Sequence, residues 1–173
     1  MTLSTLRTDR LVLRPLRSQD SPAIASAINN FEISKWLSVV PYPYTLADAE
    51  WYINENLAGR DNSRLAWRDD QLIGSFGIGG ALGYWLIPDA WGQGYATEAA
   101  SAVVDDHFAT TSDDIINSSH FDDNIASRKV LTKLGFVDTG PHEHMCKSRG
   151  CTVPGRSMEL TRARWEQVNN PTA

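Results

Sequence analysis

The stretch with the clearest chemical potential is Trp91-Gly92-Gln93-Gly94-Tyr95-Ala96-Thr97-Glu98-Ala99-Ala100, which follows the apolar run Leu82-Gly83-Tyr84-Trp85-Leu86-Ile87 and Pro88. A β-branched and aromatic run closed by proline predicts a strand. The alanine-rich stretch after Gly94 predicts a helix, so the glycines fall where strand becomes helix. The first helical turn has amide N–H groups without intrahelical partners at the positive end of its dipole, and glycines let an anion approach bare backbone. Phosphate binding is the chemistry such a junction can do. A nucleoside-triphosphate loop does not account for it, because that motif needs Lys and then Ser or Thr after its last glycine, whereas Gly94 is followed by Tyr95 and Ala96. In Gly77-Ile78-Gly79-Gly80-Ala81-Leu82-Gly83 the final glycine comes one residue late for a dinucleotide fingerprint and a strand follows, so Gly79-Gly80 reads as a hairpin turn.

A second cluster, His142-Glu143-His144-Met145-Cys146 with Cys151 beyond, contains metal-ligating residue types. Its spacing matches no standard zinc pattern, and alternation along a strand or loop explains it, so no metal is expected. Cys146 and Cys151 are read as free thiols.

The elements that must position these residues follow from periodicity and turn chemistry. Leu11-Val12-Leu13 reads as a strand ended by Pro15, and Ser18 or Asp20 can cap a helix from about Pro22 to Asn29. Pro41 and Pro43 make an extended loop, after which Thr45-Leu46-Ala47-Asp48 opens a helix through about Ala58. Arg64 to Arg68, Gln71 to Ile78 and Leu82 to Ile87 read as three antiparallel strands joined by turns at Asp69-Asp70 and Gly79-Gly80. The helix from about Thr97 to Phe108 presents Ala96, Ala100, Val103, Val104 and Phe108 on one face. Ile115 to Phe121 returns as a strand, and a helix from about Ile125 to Leu134 ends at Gly135 with Ala126, Val130, Leu131 and Leu134 inward. Phe136-Val137 starts a strand, Ser157 to Leu160 is the last one, and residues beyond about Trp165 read as a frayed tail.

At 173 residues and 42% hydrophobic content the chain supports one core, so residues 1–173 are read as a single domain. The net charge of −5 and the pairs Asp69-Asp70, Asp105-Asp106, Asp113-Asp114 and Asp122-Asp123 argue against nucleic acid as a partner. They leave room for a cationic substrate, an amine or a basic peptide. No apolar stretch approaches the ~18 residues of a membrane span and the N-terminus lacks the apolar core of a secretory signal, so a cytoplasmic protein without a membrane partner is expected.

Strand, Pro88 and then Gly92-x-Gly94-x-Ala96 opening a helix resembles the acyl-CoA pyrophosphate loop of the GNAT superfamily of N-acetyltransferases. Asn124-Ile125-Ala126-Ser127-Arg128-Lys129-Val130-Leu131-Thr132-Lys133-Leu134-Gly135-Phe136 resembles that family's later helix with its Leu-Gly-Phe ending. Thr8-Asp9-Arg10-Leu11-Val12-Leu13-Arg14-Pro15-Leu16 resembles the first strand of the branch that includes ribosomal-protein N-terminal alanine acetyltransferases. Three blocks in order carry a resemblance that extends over roughly residues 8 to 162 and is densest from 84 to 136.

The resemblance implies an α/β (α+β) fold: a mixed, mostly antiparallel sheet that splays open at one point, with flanking helices. It implies acetyl transfer from acetyl-CoA, as co-substrate, to a primary amine by direct attack in a ternary complex. A protein N-terminus is the first acceptor to consider and a polyamine or aminoglycoside-like amine the second, while a non-catalytic acyl-CoA-binding module is the reading from another class. A homodimer is left open. For the cofactor, the resemblance points to the backbone of Leu86 and Ile87 along the pantetheine arm, to Gly92, Gln93, Gly94, Tyr95, Ala96 and Thr97 around the pyrophosphate, and to Asn124. Trp91 departs from the family pattern, which often has Arg or Gln there. Ser127 lies where a hydroxyl could donate to the departing thiolate. The carboxylate that related sequences carry before Leu82 is replaced by Ala81, and His120, at the end of the strand before Asn124, is the substitute base, with an intrinsic pKa suited to accept a proton. Glu98 is read as a supporter of its helix's first turn.

Overall fold

The computed structural model describes residues 3–169. The chain begins with β1 (Leu6–Arg7) and β2 (Val12–Pro15), a 3-10 turn at Ser18–Asp20, and then α1 (Ser21–Ile28), α2 (Phe31–Ser34) and α3 (Leu46–Leu57). A meander of β3 (Ser63–Arg68), β4 (Gln71–Ile78) and β5 (Leu82–Leu86) leads through a second 3-10 turn, Pro88–Ala90, into α4 (Tyr95–Thr110). β6 (Ile115–Phe121), α5 (Ile125–Lys133), β7 (Val137–Cys146), β8 (Cys151–Thr161) and α6 (Arg162–Asn169) complete the order.

Two antiparallel sheets result, one in the order β1-β2-β3-β4-β5 and one in the order β6-β8-β7. They meet where β5 starts beside β6, through a parallel bridge between Ala81 and Asn117 and a 2.9 Å bond from Ser118 Oγ to the Leu82 carbonyl. Past that point no further bridge joins the two strands among the described residues, and they diverge. The sheet is therefore mixed at a single joint and split beyond it.

Alternation along the strands separates two cores. Phe76, Ile116, Leu134 and Leu160 pack with Ala100, Val103, Val104 and Phe108 of α4 and Leu131 of α5. Leu65, Leu72 and Trp85 pack with Ile24 and Ile28 of α1 and Ala49 and Ile53 of α3. Each fully buried Leu, Ile or Phe contributes about 1.5–3 kcal/mol relative to exposure, so both helical layers are held against the sheet without covalent ties.

Four local expectations are corrected. Asp20 stands at the N-cap of α1 but makes no side-chain cap, because its carboxylate takes both Arg14 guanidinium nitrogens at 2.8 Å and the Arg17 amide at 2.8 Å. A bidentate charged pair outcompetes a single neutral N–H. α4 begins at Tyr95, two residues before Thr97, and buries Tyr95 and Ala99 as well, leaving Ala96 half-buried. Ala126 is exposed, since the first turn of α5 overhangs the split and not the sheet. The end of the chain is not frayed as far as residue 169. In α6, Trp165 donates its indole N–H to Asp105 Oδ1 at 2.6 Å and its ring lies 5.2 Å from that of Phe108. Residues 170–173 of the expected tail lie outside the described residues.

Candidate active site

The diverging strands open a cleft of about 1260 Å³ that passes from the start of α4 to the segments around α2 and α3. Which backbone groups face it follows from register. Ile87 donates its N–H to the Ile73 carbonyl at 2.9 Å, so in the antiparallel β4–β5 pair the odd-numbered residues of β5 bond to β4 and the even ones turn the other way. The Leu82 carbonyl held by Ser118 confirms that side. Tyr84 and Leu86 thus direct their amide groups into the split. Ile87, expected to serve the cofactor, has its N–H committed to the sheet and does not line the cleft, which corrects that assignment.

The loop after β5 is built for close approach. Gly92 and Gly94 have φ of +71° and +83°, a region costly for residues with a Cβ, and no atom lies within 4 Å of where a Gly92 Cβ would stand. Gly94 is the N-cap of α4 and supplies no side-chain acceptor, and the first helical bond runs from Glu98 N to the Gly94 carbonyl at 3.1 Å. The amides of Tyr95, Ala96 and Thr97 are consequently orphan donors at the positive helix end. Gly92, Gly94, Tyr95, Ala96 and Thr97 all line the cleft, whereas Gln93 does not. The Gln93 side chain folds back to the Asp89 carbonyl at 2.5 Å, and its own carbonyl accepts from Arg10 Nη1 at 3.0 Å. Trp91, where the resembling family offers Arg or Gln, donates its indole N–H to the Leu86 carbonyl at 2.9 Å. It ties the loop to the strand end and leaves Leu86 its N–H.

Glu98 supports this loop from outside. Its carboxylate accepts from Thr8 Oγ1 (2.5 Å), Arg10 N (3.0 Å) and Arg10 Nε (2.7 Å), while the Arg10 guanidinium lies 4.3 Å from the Tyr95 ring centre. Burial works to raise the Glu98 pKa, but the bonds from Thr8 and Arg10 outweigh it and hold the group below the ordinary carboxylate value.

On the α4–α5 face of the split, Ser127 Oγ is 2.8 Å from Tyr84 Oη. Burial pushes the Tyr84 phenol up to about 12 against the opposing effect of the Ser127 bond, so it is protonated at neutral pH. Its ring stacks on Phe76 with centroids 5.5 Å apart. Asn124 caps α5, its Oδ1 accepting from Ser127 N at 3.1 Å, and lines the cleft. His120 is 6% exposed, and its Nδ1 lies 2.9 Å from the Phe121 carbonyl. A carbonyl only accepts, so Nδ1 carries the hydrogen and the lone pair of the neutral ring is at Nε2.

Carboxylates at the cleft are engaged elsewhere. Asp48 is bound to Thr45 at the start of α3, Asp61 accepts from Ser63 Oγ and Asn62 N, and Asp123 pairs with Arg149 at 3.1 Å. Ala81, the position of the missing carboxylate, belongs to the bridge that joins the sheets. Among the described residues no group of three or more His, Cys, Asp or Glu side chains is placed to hold a metal ion, and no helix is long and apolar enough to cross a membrane.

Sequence reasoning passed over Tyr84 and Ser119. Tyr84 was visible only as a strand aromatic, and what marks it is its even position in β5 beside Leu86. Ser119 has no local signal.

A split sheet with bare helix-start amides at one mouth and a hydroxyl pair inside it makes a cleft that can take an anion at one end, and comparison with known proteins gives the family. A profile of the acetyltransferase (GNAT) domain matches residues 10–137, and the chain belongs to this family of acetyltransferases. It is 29% identical over 155 residues to the uncharacterized N-acetyltransferase YoaA of Bacillus subtilis, covering 78% of this chain and 84% of that protein. Its fold superposes on the ribosomal-protein-S5-alanine acetyltransferase of Vibrio fischeri with a TM-score of 0.80 at 17% identity, covering 94% and 98% of the two chains. It superposes on Mycobacterium smegmatis RimJ in complex with CoA-disulfide with a TM-score of 0.76 at 20% identity, covering 88% and 82%. The chain is an N-acetyltransferase, and its sheet is the mixed, mostly antiparallel one of that fold.

Proposed function

We propose that this enzyme transfers acetyl from acetyl-CoA to the N-terminal amine of a polypeptide, by direct attack while both substrates occupy the cleft. The observation that carries the reading is the continuity of one cleft through the split, with the phosphate cradle at one mouth and a broad groove at the other lined by Trp36, Asp48, Trp51, Tyr52 and Asp61. Such a groove is open to solvent and carries charges of both signs, Asp48 and Asp61 beside Arg60 and Lys147, and its breadth suits a chain end. Structural relatives include an enzyme for ribosomal protein S5 alanine.

In this reading the amides around Gly92, Gly94, Tyr95, Ala96 and Thr97 hold the pyrophosphate, with Gln93 contributing backbone only. Leu86 N–H and the outward amide of Tyr84 line the pantetheine arm, and Asn124 fixes the start of α5 beside it. The amine nitrogen attacks the thioester carbon, the C–N bond forms, the C–S bond breaks, and the Tyr84–Ser127 pair gives the leaving thiolate its proton. His120 stands on this same cofactor face, with Nε2 the atom able to accept a proton there.

A screen of acceptors read by free CoA thiol tests the proposal. Turnover with an alanine-initiated peptide above that with spermidine or kanamycin is expected. Preference for the small amines overturns the peptide assignment, and tight acetyl-CoA binding with no thiol release from any acceptor would make the chain a binding module.

A further inference from the structure

The amine must reach the thioester from the side opposite the cofactor. α4, α5, Ser127 and Tyr84 occupy one face of the split, so the open approach is the face of α2 and α3. The alternation of β6 separates the two: Ile116, Ser118 and His120 are buried toward the first core, and Ser119 turns the other way, the same way as Phe121, which packs with Trp36, Cys146 and Val153. His120 therefore serves the cofactor face and not the acceptor face.

On the acceptor face three polar side chains stand together, the two imidazole rings edge to face with centroids 3.8 Å apart. Ser119 Oγ is 3.2 Å from His144 Nε2, and His144 Nδ1 is 3.3 Å from His142 Nε2. Ser119 and His144 line the cleft, while His142 lies outside it and is exposed. β8 separates β6 from β7, and opposite His142 it carries Gly155, so no side chain at that position of β8 obstructs the way from the histidines toward β6.

We propose that His144 is the proton acceptor for the attacking amine, with Ser119 as the relay inside the cleft. This rests on the reading that an amine is acetylated in this cleft. The ammonium gives one proton to Ser119 Oγ as the hydroxyl hydrogen passes to His144 Nε2. The imidazolium so formed at His144, which is half-exposed, releases its proton to water. The freed amine attacks the thioester carbon, and the second proton shed as the C–N bond forms balances the one given to the thiolate when the C–S bond breaks. Burial first, and then the His142 charge, lower the His144 pKa, so the ring is neutral and ready near pH 7. The other charged groups nearby do not replace it: Lys147 lines this end of the cleft as a cation, Asp123 is paired with Arg149, and Glu143 alternates to the opposite face of β7.

The test measures kcat/KM against pH for wild type, His144→Gln and His142→Ala, with the best acceptor of the amine screen and with a hydrazide analogue of it that is uncharged at neutral pH. His144→Gln should lose about 100-fold with the amine, within the usual range for general base catalysis, and recover most of that with the hydrazide, because no proton then has to be removed before attack. The acid limb should vanish in His144→Gln and move to higher pH in His142→Ala, where the depressing charge is gone. Acetyl-CoA affinity and melting temperature matching wild type identify a folded variant. An active wild type whose acid limb survives in His144→Gln, or a variant equally impaired with both acceptors, overturns this assignment alone. A wild type inert toward every amine overturns it together with the acetylation reading.

Discussion

Tyr84 Oη and Ser127 Oγ lie 2.8 Å apart and are the direct polar link between β5, which borders the split, and α5, which overhangs it. A phenol held up to about 12 retains its proton at neutral pH and can give it to a thiolate as the thiolate forms, with the serine hydroxyl as the intermediate oxygen. Tyr84→Phe and Ser127→Ala should each lower kcat by ~10² or more with little change in the KM for acetyl-CoA. The double variant should be little worse than either single one, because the hydroxyls act as one unit. Steady-state kinetics decides this, and a kcat within about twofold of wild type in Ser127→Ala would remove the pair from the mechanism.

Gly94→Glu should abolish CoA binding in isothermal titration. It places a carboxylate at the anion cradle and a Cβ at φ +83°, where the nearest atom, Arg10 Nη2, would be 3.4 Å away. Gly94→Ala separates the two effects, because it carries only the backbone strain of about 1–2 kcal/mol. Equal CoA affinity in Gly94→Glu and wild type would mean that the donor lies elsewhere.

Glu98→Gln and Arg10→Met should weaken CoA binding about tenfold, a 1.4 kcal/mol change, while kcat at saturation stays near wild type. The reason is positional: the two residues are 88 apart in sequence, and together they hold the Gln93 carbonyl and cover the Tyr95 ring at the start of α4, which fixes the loop that borders the cleft. A drop in kcat with unchanged affinity would contradict this.

Asp20 makes stability depend on acidity. Burial works to raise its pKa, but the bonds from Arg14 and the Arg17 amide outweigh burial and keep it below 3.8. A carboxyl depressed in the folded state contributes stability above its unfolded value, and that contribution disappears as the pH falls from about 4 through the folded value. Asp20→Asn should therefore cost about 3 kcal/mol in urea denaturation at pH 7, since it leaves Arg14 poorly matched, and the gap to wild type should narrow below pH 4. A gap that stays constant with pH would mean that the pair adds nothing through charge.

Cysteine, charge and metal readings set the outer frame, but the most informative residues were those whose role is settled within a few positions. Thr45 and Asp48 form the capping box that starts α3, Gly135 has the positive φ that ends α5, and Gly92 and Gly94 stand, with positive φ, at the turn from strand into helix. These are fixed by interactions over three or four residues, so the chain states them locally. The same locality misled at Asp20, whose position before a helix suggested a cap until Arg14 was seen to claim it. It misled again at Trp165, where the polar end of the chain concealed an indole that reaches Asp105.

By itself the sequence determined most of the strands and helices, the glycine turn before α4 and the family, because each of these is written in short periodic or contiguous patterns, while the short β1 and α2, the start of β8 and the terminal α6 were not legible in it. Only the tertiary structure decided that Tyr84 and not Ile87 faces the split, that Ser127 meets Tyr84, that Arg10 braces the loop through Glu98, and that His120 and Ser119 look to opposite sides of the sheet. Those outcomes depend on strand register and on where β5 and β6 part. Register is set by long-range pairing, and a shift of one residue would turn every side chain to the other face.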